Sequence, residues 1–119
     1  MNIMFEESIT DEVKSKYMLL PLDTFYFADA DKKSTAYCLI EDTPILEMLG
    51  VDHYIDLHQD LVKNYYLRNW TDCLEAIEKL QGRWNGELDS FYSEMHARVK
   101  VYKEQDPGPE WTGILPVIK

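Results

Sequence analysis

Three aspartates at intervals of four residues are the first group in this sequence that could bind an ion. Asp52, Asp56 and Asp60 would share one face of a helix, with His53 beside them. Carboxylate oxygens are the ligands that Mg²⁺ and Ca²⁺ prefer. The same spacing is typical of a solvated acidic face, where like charges four residues apart cost only about 0.2–0.5 kcal/mol. No glycine-containing calcium loop accompanies them, so we expect no metal or other cofactor and keep these four residues as the candidates.

Nucleophilic catalysis would require a cysteine or serine at a defined spacing from a base. Cys38 and Cys73 fall in segments that resemble strand and helix core, and no motif links either of them to His58 or His96. No Gly-x-Ser-x-Gly turn occurs, and two isolated cysteines are too few for a disulfide framework. The sequence therefore predicts that the protein is not an enzyme.

Composition fits one folded domain. The chain has 119 residues, of which 45% are hydrophobic and 13% aromatic, and its formal net charge is −10. An acidic protein with a pI near 4.6 is poorly suited to bind polyphosphates, which are held by clustered Lys and Arg. The N-terminal residues do not resemble a signal peptide, and no apolar run approaches a membrane span. We expect a cytoplasmic protein that binds neither nucleic acid nor membrane directly.

The charge is concentrated in one half of the chain. Residues 1–60 contain 13 acidic residues and 4 lysines, whereas residues 61–119 contain 9 acidic and 8 basic residues. The excess of acid therefore belongs to the first half.

The first half predicts a β-hairpin and short helices. Residues 17–27 and 35–40 are rich in aromatic and aliphatic side chains, and the polar run 29–34 lies between them. Thr10 is suited to be the N-cap of a helical turn whose first residues, Asp11 and Glu12, are acidic. Thr43 and Pro44 predict the start of a second short helix that ends at Gly50.

The second half predicts three helices. Apolar residues at intervals of three and four mark helices over 54–67 and 87–104, and a stripe that begins after Asn69 continues to Trp84. Residues 111–118 are extended and apolar enough to pack on the body. We predict a single α+β domain in which an N-terminal β-hairpin and short helix (1–52) pack on a C-terminal antiparallel helical hairpin plus third helix (53–119).

Three aromatic residues are candidates for an interaction surface. Trp111 follows a proline-glycine-proline turn, where a large ring either covers the helical core or anchors a partner, and the first alternative is favoured because an isolated exposed Trp is uncommon. Tyr37 and Phe25 are on the predicted hairpin, whose two faces both carry large side chains.

The later residues resemble a known segment. They include Tyr65, Arg68-Asn69-Trp70, Cys73, Ile77, Ser90-Phe91-Tyr92, Arg98, Tyr102, Pro107, Pro109, Trp111-Thr112-Gly113-Ile114 and Lys119. Residues 57–119 are thus similar to the tetratricopeptide-like helical tail that follows the catalytic domain in bacterial class III adenylate cyclases. The 56 residues before Leu57 are too few for that catalytic domain, and its paired metal-binding aspartates are missing from them. The whole chain also resembles small proteins of marine T4-like phages. Both resemblances imply a packing and interaction module without its own chemistry.

These observations lead to three functional hypotheses. The first is a non-enzymatic interaction or regulatory module that binds a protein partner and forms a homodimer through the edges of a two-stranded sheet. The alternative is an acidic mimic of nucleic acid that occupies a basic protein. The third is a small metal-dependent enzyme that uses Asp52, His53, Asp56 and Asp60.

Overall fold

The structure, a computed structural model, describes residues 2–41, 51–84 and 86–117. Within these ranges it is an α+β fold with strands in the N-terminal part and helices in the C-terminal part, as the sequence predicted. The helix predicted over 44–50 lies outside the described residues. The elements in chain order are β1 (Ile3–Phe5), a 3-10 turn (Glu6–Ser8), α1 (Asp11–Lys16), β2 (Tyr17–Phe27), β3 (Lys32–Glu41), α2 (Val51–Tyr66), α3 (Trp70–Leu80), α4 (Asp89–Glu104) and β4 (Leu115–Val117).

The predicted hairpin is the centre of a larger sheet. Strands β2 and β3 pair antiparallel from Tyr17 opposite Glu41 to Phe27 opposite Lys32. Strand β1 adds to β3 antiparallel and β4 adds to β2 parallel, so the strand order is β1-β3-β2-β4. Each outer edge of the hairpin is therefore paired over three residues. The sheet has four strands rather than the two on which the predicted homodimer rested, and the homodimer itself stays a prediction.

The first helix begins where its capping residue predicts. The Oγ1 of Thr10 accepts a hydrogen bond from the backbone N–H of Val13 at 3.3 Å. This bond satisfies one of the donors that a helix start leaves free. Helix α1 then runs directly into β2.

Helices α2 and α3 form the predicted antiparallel hairpin, joined by a tight turn. The N–H of Asn69 bonds to the C=O of Asn64 at 2.9 Å, and the N–H of Arg68 bonds to the C=O of Tyr65 at 3.2 Å. This pair of bonds is a Schellman motif, whose left-handed position is usually glycine. Here Arg68 occupies it with φ of 62°.

Helix α3 ends earlier than its apolar stripe predicted. It stops at Leu80, and the two following turns, at 81–84 and 86–88, lead to α4 at Asp89. Trp84 nevertheless remains buried, with 4% of its surface exposed. The apolar spacing continues to Trp84, beyond the end of the helix, because the Trp84 side chain is part of the core even though its backbone is in a turn.

The core lies between one face of the sheet, which we call the inner face, and the three long helices. It contains Leu20, Leu22, Ala36, Cys38 and Ile40 from the sheet and Leu61, Tyr65, Trp70, Cys73, Ile77, Leu80, Leu88, Phe91, Tyr92, Met95 and Val99 from the helical part. Among the described residues, none of the helices is long and apolar enough to cross a membrane.

Candidate functional site

A groove of about 330 Å³ lies between the inner face of the sheet, beside β1, and the start of α4. Its polar lining residues are Asp23, Ser90 and Glu94. Its volume is at the lower end of the range of ligand pockets. We call it the β1 groove; its apolar lining residues are Ile3, Phe5, Leu22, Phe25, Ala36 and Phe91.

A β-bulge positions two of the lining residues. The register of β2 against β3 shifts between Pro21 and Thr24. Successive side chains of a regular strand point to opposite faces, but a bulge inserts one extra residue and breaks this alternation. Consecutive residues Leu22 and Asp23 are accordingly both buried and both line the groove.

Aromatic rings form one wall of the β1 groove. The ring of Phe5 contacts Phe25 edge-on with a centroid separation of 6.0 Å, and it contacts Phe27 at 5.6 Å. Ile3 lies at the mouth with 54% of its surface exposed, one of the highest values for a large apolar residue in the described part of the chain. The groove thus presents apolar surface that the described residues leave uncovered.

Only alternate residues of β1 direct their backbone N–H and C=O groups toward β3. The C=O of Asn2 accepts a hydrogen bond from the N–H of Leu39 at 2.8 Å. Because inward and outward bonding alternates along an antiparallel strand, Asn2 and Met4 direct their backbone groups toward β3. Ile3 and Phe5 therefore direct theirs away from β3, toward the outer edge of the sheet.

The two acidic lining residues of the groove, Asp23 and Glu94, both contact Arg98. The guanidinium of Arg98 donates to both carboxylate oxygens of Asp23, at 2.8 and 3.3 Å. It also donates to the Tyr65 hydroxyl and to Glu94, both at 3.2 Å. Burial alone would lower the pKa of Arg98, but the hydrogen bonds to Asp23 and Tyr65 raise it above its usual range. Arg98 therefore remains charged.

His58 is a buried structural residue. Its Nε2 is 2.5 Å from the C=O of Pro21, its Nδ1 is 2.8 Å from the Tyr92 hydroxyl, and that hydroxyl accepts from Trp84 Nε1 at 2.9 Å. A carbonyl only accepts, so Nε2 carries the proton and Tyr92 donates to Nδ1. Burial lowers the pKa of His58. In this series of hydrogen bonds both ring nitrogens of His58 already have a partner, so neither is available to a substrate.

Trp111 packs with three other aromatic residues. Its ring lies 4.8 Å from Tyr65, 5.1 Å from Trp70 and 5.5 Å from Tyr102, centroid to centroid. Asp106 fixes the preceding turn by accepting from Arg68 at 2.7 Å, from Trp70 Nε1 at 3.0 Å and from the N–H of Gly108 at 2.8 Å. The half-buried Trp111 thus covers the end of the helical core.

The four candidate metal ligands all lie on the solvent side of α2. Asp52, His53, Asp56 and Asp60 are exposed. In the ranges that the structure describes, no group of three or more His, Cys, Asp or Glu side chains is close enough to hold a metal ion. These residues therefore form part of an exposed acidic face of α2.

The remaining candidates lie apart from one another. Phe25 lines the β1 groove, whereas Tyr37 is half-buried on the opposite face of the sheet, where burial raises its pKa. Cys38 and Cys73 are fully buried, and burial raises their thiol pKa to about 11 and about 12. Both thiols are protonated at neutral pH and unsuited to nucleophilic attack.

Sequence reasoning selected Phe25 but missed the rest of the groove. Strand β1 is an apolar triplet, Ile3-Met4-Phe5, too short to predict a strand by alternation. One available signal was Asp23, a single acid within the apolar run 17–27. A charge inside such a run indicates a buried partner, here Arg98.

Comparison with known proteins adds no relative. No family model matches the chain, and neither the curated proteins nor the solved structures gave a match.

Proposed function

We propose that this chain is a non-enzymatic protein-interaction module whose binding face is the β1 groove together with the outer edge of β1. One observation carries the proposal: among the described residues, the N–H and C=O of Ile3 and the N–H of Phe5 point to the outer edge of the sheet, and the side chains of both residues line the groove. An exposed sheet edge next to an apolar groove is the surface to which proteins add an extended peptide. The resemblance of residues 57–119 to a helical interaction module supports the same function.

The test is selection from a random peptide display library. The wild-type protein should enrich peptides, and Ile3→Glu should abolish their binding because it places a charge at the mouth of the groove. Leu67→Glu is the matched control, since Leu67 is equally exposed, at 57% against 54%, but lies at the end of α2. Equal loss in both variants, or no loss in Ile3→Glu, would contradict the proposal. Urea unfolding of each variant separates lost binding from lost folding.

A second candidate function rests on a different surface. The outer side of the α2–α3 hairpin carries six exposed acids: Asp52, Asp56, Asp60, Asp72, Glu75 and Glu78. Such a surface attracts basic proteins over a distance, as a nucleic-acid mimic would. We propose this function as the alternative to the groove.

The acidic-face candidate has its own test. Histone H1, a basic DNA-binding protein, should bind the chain and be released steeply as salt rises from 0.05 to about 0.3 M, because exposed charges are then screened. The double variant Asp56→Lys/Glu75→Lys should weaken binding, whereas Asp29→Lys/Asp31→Lys, at the hairpin turn, should not. Similar losses in both double variants would indicate attraction by net charge alone.

A further inference from the structure

We infer that the occupant of the β1 groove is an extended segment of another protein that pairs with β1, inserts an aromatic or aliphatic side chain and carries a Lys or Arg that meets Glu94. This inference rests on the proposed function and specifies its partner. Three features of the described residues support it, namely the backbone edge, the apolar lining and the charge around the groove.

The backbone edge favours a strand over a helix or a compact ligand. Ile3 directs its N–H and its C=O away from β3, and Phe5 directs its N–H away from β3. The C=O of Phe5 is the N-cap carbonyl of the 3-10 turn at Glu6–Ser8. Within the described residues β1 is an outer strand of the sheet. A strand added there would satisfy these groups with main-chain hydrogen bonds, which supply affinity independent of sequence.

The apolar lining supplies the anchor site. Alternate residues of an added strand point to the same face and are about 6.6–6.8 Å apart. Ile3 and Phe5 have this spacing, and both face the groove. A partner side chain between them would contact Phe5, Phe25 and Phe91, so an aromatic or branched aliphatic residue fits this position.

The charge around the groove favours a basic partner. The titratable lining residues are Asp23 and Glu94, and no Lys or Arg is among the lining residues. Arg98 balances the negative charge of Asp23 and donates two hydrogen bonds to it. It donates only one hydrogen bond to Glu94, whose side chain remains 73% exposed. Glu94 thus has an oxygen available to a cation near the anchor.

The same charges disfavour a second copy of this chain. Pairing of β1 with β1 would bring together two copies of Glu94 and of the acidic pair Glu6 and Glu7 that follows the strand, in a chain of net charge −10. The charge of the Glu7 carboxylate is partly offset by Lys32 at 3.3 Å, whereas the Glu6 carboxylate accepts only from the N–H of Thr35 among the described hydrogen bonds. Like charges brought face to face oppose association.

The experiment measures binding of three synthetic peptides by fluorescence polarisation. Each peptide has nine residues with a phenylalanine at the centre. The second residue on either side of the phenylalanine is lysine, serine or glutamate, and the other positions are β-branched or polar. We expect the lysine peptide to bind wild type at least about tenfold tighter than the serine peptide at low salt, and the glutamate peptide to bind least. N-methylation of the backbone positions that face β1 should abolish binding.

Two variants test the role of Glu94. Glu94→Gln should remove most of the preference for lysine and leave binding of the serine peptide unchanged. Glu104→Gln, at the far end of α4, should retain the preference. Equal affinity for lysine and serine peptides, or an undiminished preference in Glu94→Gln, would overturn the basic-partner inference while the proposed groove function stands.

Two further results have defined meanings. If no peptide of the panel binds and the display library yields no groove-dependent peptide, both the inference and the proposed function are wrong. If light scattering shows a dimer that Ile3→Glu dissociates, a second copy occupies the edge and the inference is overturned. A monomer at high concentration supports it.

Discussion

The Arg98 guanidinium and the Asp23 carboxylate form a two-point ion pair, at 2.8 and 3.3 Å, that joins α4 to the bulged strand β2. The two side chains are only 14% and 12% exposed. Because water is largely excluded, neither charge can be left alone without a large desolvation cost.

Removal of one partner should therefore destabilise the fold strongly. We expect Arg98→Met to lower the free energy of unfolding by about 3–5 kcal/mol, because Asp23 stays buried without its counter-charge. The double variant Asp23→Leu/Arg98→Met should recover much of this loss. Urea unfolding measures both. Lys16→Met breaks an exposed pair with Glu12 and serves as the control; an equally small effect in Arg98→Met would show that the buried pair contributes no more than a surface one.

The buried His58 should make stability depend on pH. Its pKa in the folded state is lowered by burial, whereas the unfolded chain titrates near the ordinary value of 6.5. Below about pH 6.5 the unfolded state binds a proton that the folded state does not, so stability is complete above this pH and falls as pH decreases toward the folded pKa. The slope from this group is at most about 1.4 kcal/mol per pH unit.

Unfolding curves between pH 7.5 and 5 measure this effect. His58→Gln should be less stable at pH 7.5 but nearly independent of pH over the same window, since glutamine does not titrate. A wild-type stability that stays constant between pH 6.5 and 5 would argue against a neutral, buried imidazole.

The sequence was sufficient for elements with a long repeating pattern. The hairpin, the Thr10 cap and the three long helices follow from local spacing and capping, and the fold class followed from them. Strand β1 was missed because three residues carry too little pattern. Strand β4 lies within the segment 111–118 that was predicted to be extended, but its parallel pairing with β2 was missed because this pairing depends on contacts distant in sequence.

The groove was beyond prediction for the same reason. It requires the bulge at Leu22 and Asp23, the position of β1 and the start of α4 at once. The residue type of Phe25 indicated a large apolar side chain, but it did not indicate whether neighbours would cover it. Trp111, in contrast to Phe25, is covered by other rings. The covering residues Tyr65 and Trp70 lie more than 40 positions earlier in the sequence, so local spacing could not indicate these contacts.

At position 68, just after the end of α2, glycine should be more stabilising than alanine, the reverse of their usual order within a helix. The Arg68 φ of 62° lies in the left-handed region, which costs about 1–2 kcal/mol for residues other than glycine. Arg68→Ala and Arg68→Gly both lose the ion pair with Asp106, but only glycine relieves the backbone. We expect Arg68→Gly to be the more stable of the two by about 1 kcal/mol in urea unfolding. The reverse order would contradict the left-handed turn.

The ring of Trp111 should contribute to folding. Trp111→Ala removes contacts with Tyr65, Trp70 and Tyr102, and such truncations cost about 3–5 kcal/mol when the ring is fully buried. Because this ring is half-buried, the loss should be at the lower end, about 3 kcal/mol. Thermal and urea unfolding measure it. Unchanged stability with loss of peptide binding would instead identify Trp111 as an interaction residue.

Two glycines in the same backbone region allow the approach of the C-terminal segment to α2 to be tested. Gly113 and Gly82 have φ of 73° and 80°, so alanine strains the backbone similarly at both. A Cβ at Gly113 would clash with Cδ1 of the Tyr66 ring, whereas a Cβ at Gly82 would meet no described atom within 4 Å. The two substitutions therefore differ mainly in this contact.

We expect Gly113→Ala to be less stable than Gly82→Ala by about 1–3 kcal/mol, the usual cost of forcing an extra carbon into a packed site. Urea unfolding of the two variants measures the difference. The clash should also displace the Tyr66 ring, whose hydroxyl donates to Thr24 at 3.1 Å, so the double variant Tyr66→Ala/Gly113→Ala should show a smaller effect of the second substitution. Equal losses at Gly113 and Gly82 would mean that the segment before β4 does not pack on α2 as described.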